Sequence, residues 1–446
     1  MTFSLHPRGP SGYTRAVTRD ADFRVDMVGH ATIRVRSAGR TLVTDPWLVG
    51  PIGRTSAFHF PPLAHDPAEI AAETDAIYVS HVHPDHFDPA TLAVFRRDTP
   101  IYIGDYRLKT FRDELRTLGF PVIEVPFQEP TWIAGTDFEI AIIEHDYDET
   151  AAYDSSIVVR TPGFTLFANN DCFLRPAKYA WTREHFDLDY AFLGYSPASS
   201  YPICFELEPA EKARLLEEAA DRRYHDFVEA ARLLGCRLAV PYASGARFLH
   251  ESALWKNVAF NSATEAVRRL RAVGLEGAVM GPGDRIEADG SLSRINPVLD
   301  KEAELAAIRE YARSVEGWVE SMRKPHPPPR PDLVPRFRDY ILGLWRESRD
   351  RLPGVRKHVI AYVLAGAERE QRFYFDFSRP DGDVFQWGEP PRYDMRYTYQ
   401  AANLQLRLDG EIDWDELHYT DGVSVHQVAY AKDFYRMLRS ETLDLG

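Results

Sequence analysis

Three histidines fall within six residues in the run Ser80-His81-Val82-His83-Pro84-Asp85-His86, and a carboxylate stands among them. Extended backbone at the start would turn His81 and His83 to one side, and the bend that follows would bring Asp85 and His86 to an adjoining position. Imidazole and carboxylate at this spacing suit a borderline divalent cation, zinc or iron, with room for two ions. A polar loop that carries histidines by chance is the plainer alternative. Four residues on one loop cannot close a coordination shell, so other ligands must come from elsewhere in the chain.

Two residues meet that need by position. His145 follows the apolar run Ala141-Ile142-Ile143, and Asp171 follows Leu166-Phe167-Ala168-Asn169-Asn170, each at the end of an expected strand. Both are candidate ligands, and Asp171 is placed to bridge two ions. Asp85 and Asp171 are also the candidate catalytic carboxylates, because either could orient a reacting water. Asp45 and His30 sit at strand ends in an opening meander. Asp45 is expected to support a ligand from behind, since metal-bound histidines usually donate their other ring hydrogen to a carboxylate. His30 is expected to line the pocket.

The elements that must position these groups follow from periodicity. Residues 23–28, 32–36 and 41–44 alternate and are split by Gly29-His30 and by Gly39, which predicts antiparallel strands and tight turns. Asp45-Pro46-Trp47 then opens a Pro/Gly/His-rich loop that runs to Pro67. A helix over 67–73 precedes Ala76-Ile77-Tyr78-Val79-Ser80, whose unbroken apolar character suits a buried central strand ending at the histidines. Next come a helix over 91–97, a strand over 101–103, a helix over 108–118 and a strand over 122–125. A second block of strands covers 138–143, 156–160 and 165–168. It is followed by a helix over 209–234, a strand over 238–240 and a helix over 262–273. Two strand-rich blocks with interleaved helices predict two sheets face to face with helices outside.

Domain limits come from composition. The first unit is expected over residues 1–300, a helical and Pro-rich linker over 301–331, and a small α+β unit over 332–446. Lys324-Pro325-His326-Pro327-Pro328-Pro329-Arg330-Pro331 cannot continue a helix, because proline lacks the amide hydrogen and clashes with the preceding turn. Beyond it the pattern predicts a helix over 333–349, a strand over 371–377 and a final helix over 429–438.

Composition excludes several classes of function. With 446 residues, 44% hydrophobic and 27% charged, the chain is long and apolar enough for a sizeable core. A net charge of -14 and the lack of a Lys/Arg stripe argue against a nucleic-acid partner. Cys172, Cys204 and Cys236 lack CxxC or CxxH spacing, so neither a disulfide framework nor an iron–sulfur site is encoded. No basic-then-apolar leader and no long apolar window are present, so a cytoplasmic protein without a membrane span is expected.

The histidine run, Thr44-Asp45-Pro46-Trp47, His145 and Asp171 together resemble the metallo-β-lactamase superfamily. That resemblance implies an αββα sandwich and one or two metals held by His81, His83, Asp85, His86, His145 and Asp171. The superfamily's usual final histidine is absent, because the matching segment reads Val240-Pro241-Tyr242-Ala243-Ser244-Gly245. His225 and His250 are near enough in sequence to be candidates for its place. A second resemblance extends over most of the chain, to the catalytic portion of the CMP-N-acetylneuraminate hydroxylase family. It rests on Pro100-Ile101-Tyr102-Ile103-Gly104, Asn170-Asp171-Cys172, Ala198-Ser199-Ser200-Tyr201-Pro202, the Val240–Gly245 segment and the run Leu408 to Leu417.

That family carries a Rieske iron–sulfur module, whereas this sequence shows no C-x-H…C-x-x-H set. The resemblance therefore implies a non-haem iron oxygenase that hydroxylates a polar small molecule with electrons from a separate partner. Zinc at the same residues would instead make a hydrolase that uses metal-bound hydroxide on an ester, amide or phosphoester. A non-catalytic metal-binding scaffold is the third expectation. Phe373–Phe377 and Trp414–Leu417 are reminiscent of sterol-carrier-like domains, with a packing role expected ahead of lipid binding.

Overall fold

The computed structural model describes residues 23–52, 57–146, 154–172, 174–197, 199–322, 328–367, 369–419 and 423–438. Its first half opens with a meander of β1 (Arg24–Gly29), β2 (Thr32–Ser37) and β3 (Arg40–Thr44). The short β4 (Phe58–His59) and helix α1 (Pro67–Glu73) lead into β5 (Ala76–Tyr78). Then α2 (Pro89–Leu92), β6 (Ile101–Gly104), α3 (Thr110–Thr117) and β7 (Val122–Val125) alternate. Strands β3, β5, β6 and β7 run parallel, and each is joined to the next by a crossover on one face. Buried on both faces, β5 needs the unbroken apolar run that its sequence supplies.

The second sheet takes β8 (Thr131–Trp132), β9 (Glu139–Glu144), β10 (Ser155–Arg160) and β11 (Thr165–Ala168). Helix α4 (Pro176–His185) leads to β12 (Tyr190–Gly194), and α5 (Pro209–Leu234) leads to β13 (Leu238–Tyr242). The chain continues through β14 (Ala246–Arg247), a 3-10 turn over Glu251–Ala259, α6 (Ala263–Ala272), β15 (Arg285–Ile286) and β16 (Leu292–Ser293). Spatial order is β16-β15-β1-β2-β3-β5-β6-β7 in one sheet and β13-β12-β11-β10-β9-β8 in the other.

The core divides into layers. Val25, Ile33, Val35 and Leu42 of the first sheet meet Ile140, Ile142, Ile157 and Phe192 of the second between the sheets. Outside the first sheet, Val43, Ile77 and Ile101 pack against Ile70 of α1 and Phe111 and Leu115 of α3. Outside the second, Phe167, Ala191 and Ala239 pack against Tyr179 of α4, Phe227 and Leu234 of α5, and Leu270 of α6. Helix, sheet, sheet, helix is the αββα sandwich expected from the sequence.

Two helices depart from their expected limits for local reasons. Asp88 caps α2 by accepting from the Ala90 and Thr91 amides, with Pro89 in the first turn, so the helix starts before Thr91. The residues after it close as tighter turns, Val94 N to Thr91 O and Phe95 N to Leu92 O. The helical part of the expected 301–331 linker is α7 (Lys301–Ser314) and α8 (Glu316–Met322), with the β-branched Val315 leaving helical geometry between them. These helices bury Ile308, Ala312 and Val319 against Phe58, Phe60 and Leu249, and so belong to the first core rather than to a free tether. The expected extended run at 324–331 lies partly outside the described residues.

The remainder is α9 (Leu333–Ser348), β17 (Val359–Ala365), β18 (Gln371–Asp376), β19 (Phe385–Trp387), β20 (Met395–Gln400), α10 (Ala401–Leu408), α11 (Trp414–Tyr419), β21 (Ser424–Gln427) and α12 (Lys432–Leu438). Its sheet, ordered β19-β18-β17-β20-β21, carries a separate core that includes Phe337, Tyr362, Phe375 and Tyr397. Glu206 joins the two cores by accepting from Arg396 at 3.0 Å and from Ser424. Among the described residues no helix is long and apolar enough to cross a membrane.

Candidate metal centre

Candidate residues from four strand ends and the β1–β2 turn gather at one edge of the sandwich. Four of the turning points, His30, Asp45, Asn170 and Ala243, adopt left-handed backbone with φ of 44°, 39°, 50° and 54°. Non-glycine residues rarely take this conformation, and a cluster of them marks a place where surrounding contacts enforce it. Those contacts are on hand. Asn170 Nδ2 donates to Ser155 O at 3.0 Å, and its Oδ1 lies 2.7 Å from the Tyr242 hydroxyl.

Asp45 organises the histidine loop. Fully buried, it accepts from the Ser80 amide at 2.6 Å and the Ser80 hydroxyl at 2.8 Å, and its Oδ2 lies 2.9 Å from His86 Nδ1. Proton assignments follow from this chain. Ser80 spends its one hydrogen on Asp45, so at 2.8 Å it accepts from His81 Nδ1. His81 and His86 thereby hold their Nδ1 hydrogens behind them and turn Nε2 forward. Helix α2, which follows the histidine loop, is tied to the loop after β3, because Thr91 Oγ1 accepts from the Leu48 and Val49 amides at 2.8 and 3.1 Å.

The forward-facing atoms form two adjoining groups. In one, donor atoms of His81, His83 and Asp171 all lie within 4.8 Å of one another, with His81 Nε2 and His83 Nδ1 2.8 Å apart. In the other, the same limit holds for His30, Asp85 and His86. His86 Nε2 lies 4.0 Å from Asp85 Oδ2 and 3.8 Å from Asp171 Oδ1, and it is buried without a hydrogen-bond partner. These separations are too long for hydrogen bonds, but they suit donors that share one cation, since ligands about 2.0–2.2 Å from a zinc-sized ion stand up to about 4 Å apart.

Electrostatics point the same way. Burial works against charge on His86, yet Asp85, Asp45 and Asp171 around it raise its pKa to about 10. Burial likewise opposes ionisation of Asp85, and the neighbouring His86 and His30 nevertheless hold its carboxyl well below the usual range. The enclosure calls for positive charge, which a divalent ion would provide in place of a proton. His81 is pushed well below its ordinary value by burial, so its ring is neutral with a lone pair available. The donor set therefore fits one or two divalent ions.

His145 stands slightly apart. Its amide donates to Asp154 O at 3.1 Å, and its donor atom groups with those of Asp154 and Cys172. Burial lowers His145 to about 4. Asp154 has no counterpart in the sequence reading, although it lies 3.5 Å from His81 Nδ1 and 3.6 Å from His145 Nδ1. Burial and the nearby Asp171 raise it to about 8. The signal that could have found it is register: β9 and β10 pair antiparallel, so the residue before β10 must face the residue after β9.

The expected substitutes for the late histidine lie elsewhere. His225 is exposed on α5, where helical geometry turns it to solvent. His250 begins the 3-10 turn, accepting from the Ser252 amide, and pairs with Glu320 at 2.8 Å. The imidazole that reaches the Tyr242–Gly245 turn is His30, whose Nδ1 accepts from the Gly245 amide at 3.0 Å. That bond leaves the ring hydrogen on Nε2, 3.1 Å from Asp85 Oδ2. A protonated Nε2 cannot coordinate, so His30 in this tautomer supports Asp85.

Comparison with known proteins agrees with this architecture. Residues 24–149 match the family model described as a beta-lactamase superfamily domain. A Mycolicibacterium smegmatis protein named as a putative Rieske 2Fe-2S iron–sulfur protein is 28% identical over 424 residues, covering 88% of this chain and 79% of that one. The cytidine monophosphate-N-acetylneuraminic acid hydroxylase of Asterias rubens is 37% identical over 87 residues, which is 18% of this chain and 13% of that one. Among solved structures, Igni18, a metallo hydrolase from Ignicoccus hospitalis, is 17% identical with a TM-score of 0.41, covering 61% of this chain and 99% of that one. The likeness to a beta-lactamase superfamily domain thus lies in the segment that runs from β1 to just beyond His145.

Proposed function

We propose that this metal-dependent enzyme is a non-haem iron oxygenase that hydroxylates a polar small molecule with electrons from an iron–sulfur protein. The observation that carries the reading is the likeness, over 88% of the chain, to a protein named for a Rieske iron–sulfur group, beside the shorter likeness to a hydroxylase. Residues His81, His83, Asp85, His86, His145 and Asp171 would hold the iron, as one ion or two. Iron bound there would supply dioxygen activation. The protein's own share is positional: Asp45 holds the Nδ1 hydrogen of His86, Ser80 that of His81, and His30 sits against Asp85. Asp85 and Asp171, each about a quarter exposed, are the carboxylates open to an incoming substrate.

A zinc hydrolase is the second reading, favoured by the beta-lactamase superfamily match over residues 24–149. The two part in one assay. Protein loaded anaerobically with ferrous iron and given a reduced iron–sulfur donor should consume oxygen, at a rate that depends on both. Absence of oxygen uptake, together with zinc-dependent cleavage of a generic phosphodiester or ester, would overturn the oxygenase in favour of the hydrolase.

A further inference from the structure

The ends of three neighbouring strands bring one more set of donors together. β9 and β10 pair antiparallel with Ser155 opposite Glu144, so His145, just past β9, stands beside Asp154, just before β10. β11 lies against β10 with Ala168 opposite Ile157. The turn after β11 is closed by Cys172 N on Asn169 O at 3.1 Å and by Asn169 Nδ2 on Cys172 O at 2.8 Å, and it brings Cys172 to the same edge. Donor atoms of His145, Asp154 and Cys172 all lie within 4.8 Å of one another, and all three residues are buried.

Hydrogen bonding leaves this set incomplete. Asp154 is 6% exposed, and its Oδ1 is buried without a hydrogen-bond partner. An unsatisfied oxygen on a buried carboxylate calls for a cation. His145 Nδ1 stands 3.6 Å from Asp154 Oδ2, too long for a hydrogen bond but suited to two donors on one ion. The set also lies apart from the front groups. His81 turns Nε2 towards His83, 2.8 Å away, whereas Asp154 lies on its Nδ1 side at 3.5 Å.

The donor types select the ion. Thiolate, imidazole and carboxylate together suit zinc, which takes sulfur at about 2.3 Å and nitrogen or oxygen at about 2.0–2.2 Å, and three protein donors leave its fourth tetrahedral position to water. The Cys172 thiol bonds to Asp154, and coordination would release its hydrogen to solvent. We propose that His145, Asp154 and Cys172 form a separate site for one thiophilic divalent ion, zinc, behind His81. Of the iron reading the site keeps only His145 as a metal ligand, and it gives that ligand to this ion.

Cobalt(II) is the probe, added without oxygen to the full chain, because cobalt on a thiolate shows a sulfur-to-metal charge-transfer band in the near ultraviolet. The wild type should show that band and Cys172→Ser should lose it. Asp154→Asn should take up this cobalt at least about tenfold more weakly, no less than the loss of a partner that only orients a ligand. His83→Ala, which removes a donor from the front group, should keep the band. No band in the wild type, a band that persists in Cys172→Ser, unchanged affinity in Asp154→Asn or a band lost in His83→Ala would overturn the separate site. If Cys172→Ser fails to fold, X-ray absorption at the zinc edge of zinc-loaded wild type decides. A sulfur shell at about 2.3 Å is expected, and nitrogen and oxygen alone would overturn the assignment. Oxygen uptake with iron and a reduced donor, measured on the same preparations, separates the two readings: the band without uptake counts against the oxygenase and supports this site, and uptake without the band does the reverse.

Discussion

Asp45 joins three groups that have no other common support, and its loss should be felt at the metal. In Asp45→Asn one oxygen is replaced by an amide, so the Ser80 amide, the Ser80 hydroxyl and His86 Nδ1 can no longer all be satisfied. Metal affinity is expected to fall about 10–100-fold, as for other partners that orient ligands. Competition against a chelator measures this, and unchanged affinity would show that Asp45 does not support the centre. At this scale the histidine run was legible because three imidazoles in six residues need a cause. Asp45 was legible because a carboxylate ending a strand beside such a run has an obvious task. Asp154 was not, since it acquires its position from pairing across β9 and β10. The late-histidine candidates failed for a different local reason. Closeness in sequence put His225 and His250 forward, and helix phase and capping geometry carried them away.

Strand ends do the positioning, and one turn-to-turn contact is tight enough to test. A Cβ on Gly245 would stand 2.9 Å from His30 N and 3.0 Å from His30 Cα. Both are backbone atoms, so the β1–β2 turn itself would have to move. Gly245→Ala is expected to cost about 1–3 kcal/mol of stability, the usual penalty of overpacking. It should also weaken metal retention by displacing His30 from Asp85. A denaturation midpoint and a metal titration that both match the wild type would contradict the contact. The meander and the β5 strand were readable from alternation and from an unbroken apolar run. Less readable were β12, whose apolar run has no period of its own, and β17, whose parallel partner β20 lies well downstream. Local signals also misjudged α2, where the Asp88 cap rather than apolar spacing sets the start.

For the whole molecule, residues between Leu333 and Leu438 share a core of their own, which we propose as a second unit, while α7 and α8 pack on Phe58, Phe60 and Leu249 of the first half. Its acid sensitivity follows from His418, which is buried and has Tyr399 Oη 3.1 Å from Nε2. Burial lowers His418 to about 4, so the unfolded chain takes up a proton more readily and stability rises with pH. The contribution is complete above about 6.5, the unfolded value, and drains away as pH falls towards the folded value, by up to about 3 kcal/mol. His418→Phe should therefore lose less stability on acidification than the wild type, as read from denaturant midpoints across that window. Parallel curves for the two proteins would refute the assignment to His418.

The oxygenase and hydrolase readings both require imidazoles and carboxylates from separate strand ends to converge on a shared cation. Elemental analysis after anaerobic iron loading and desalting, on the wild type and on His83→Ala, tests it most directly. The wild type is expected to retain iron in fixed proportion to protein, and His83→Ala to lose it while keeping its circular dichroism spectrum, because His83 is only half-buried on a loop. A wild type that retains no iron or zinc, or a variant that retains as much as the wild type, would contradict the centre.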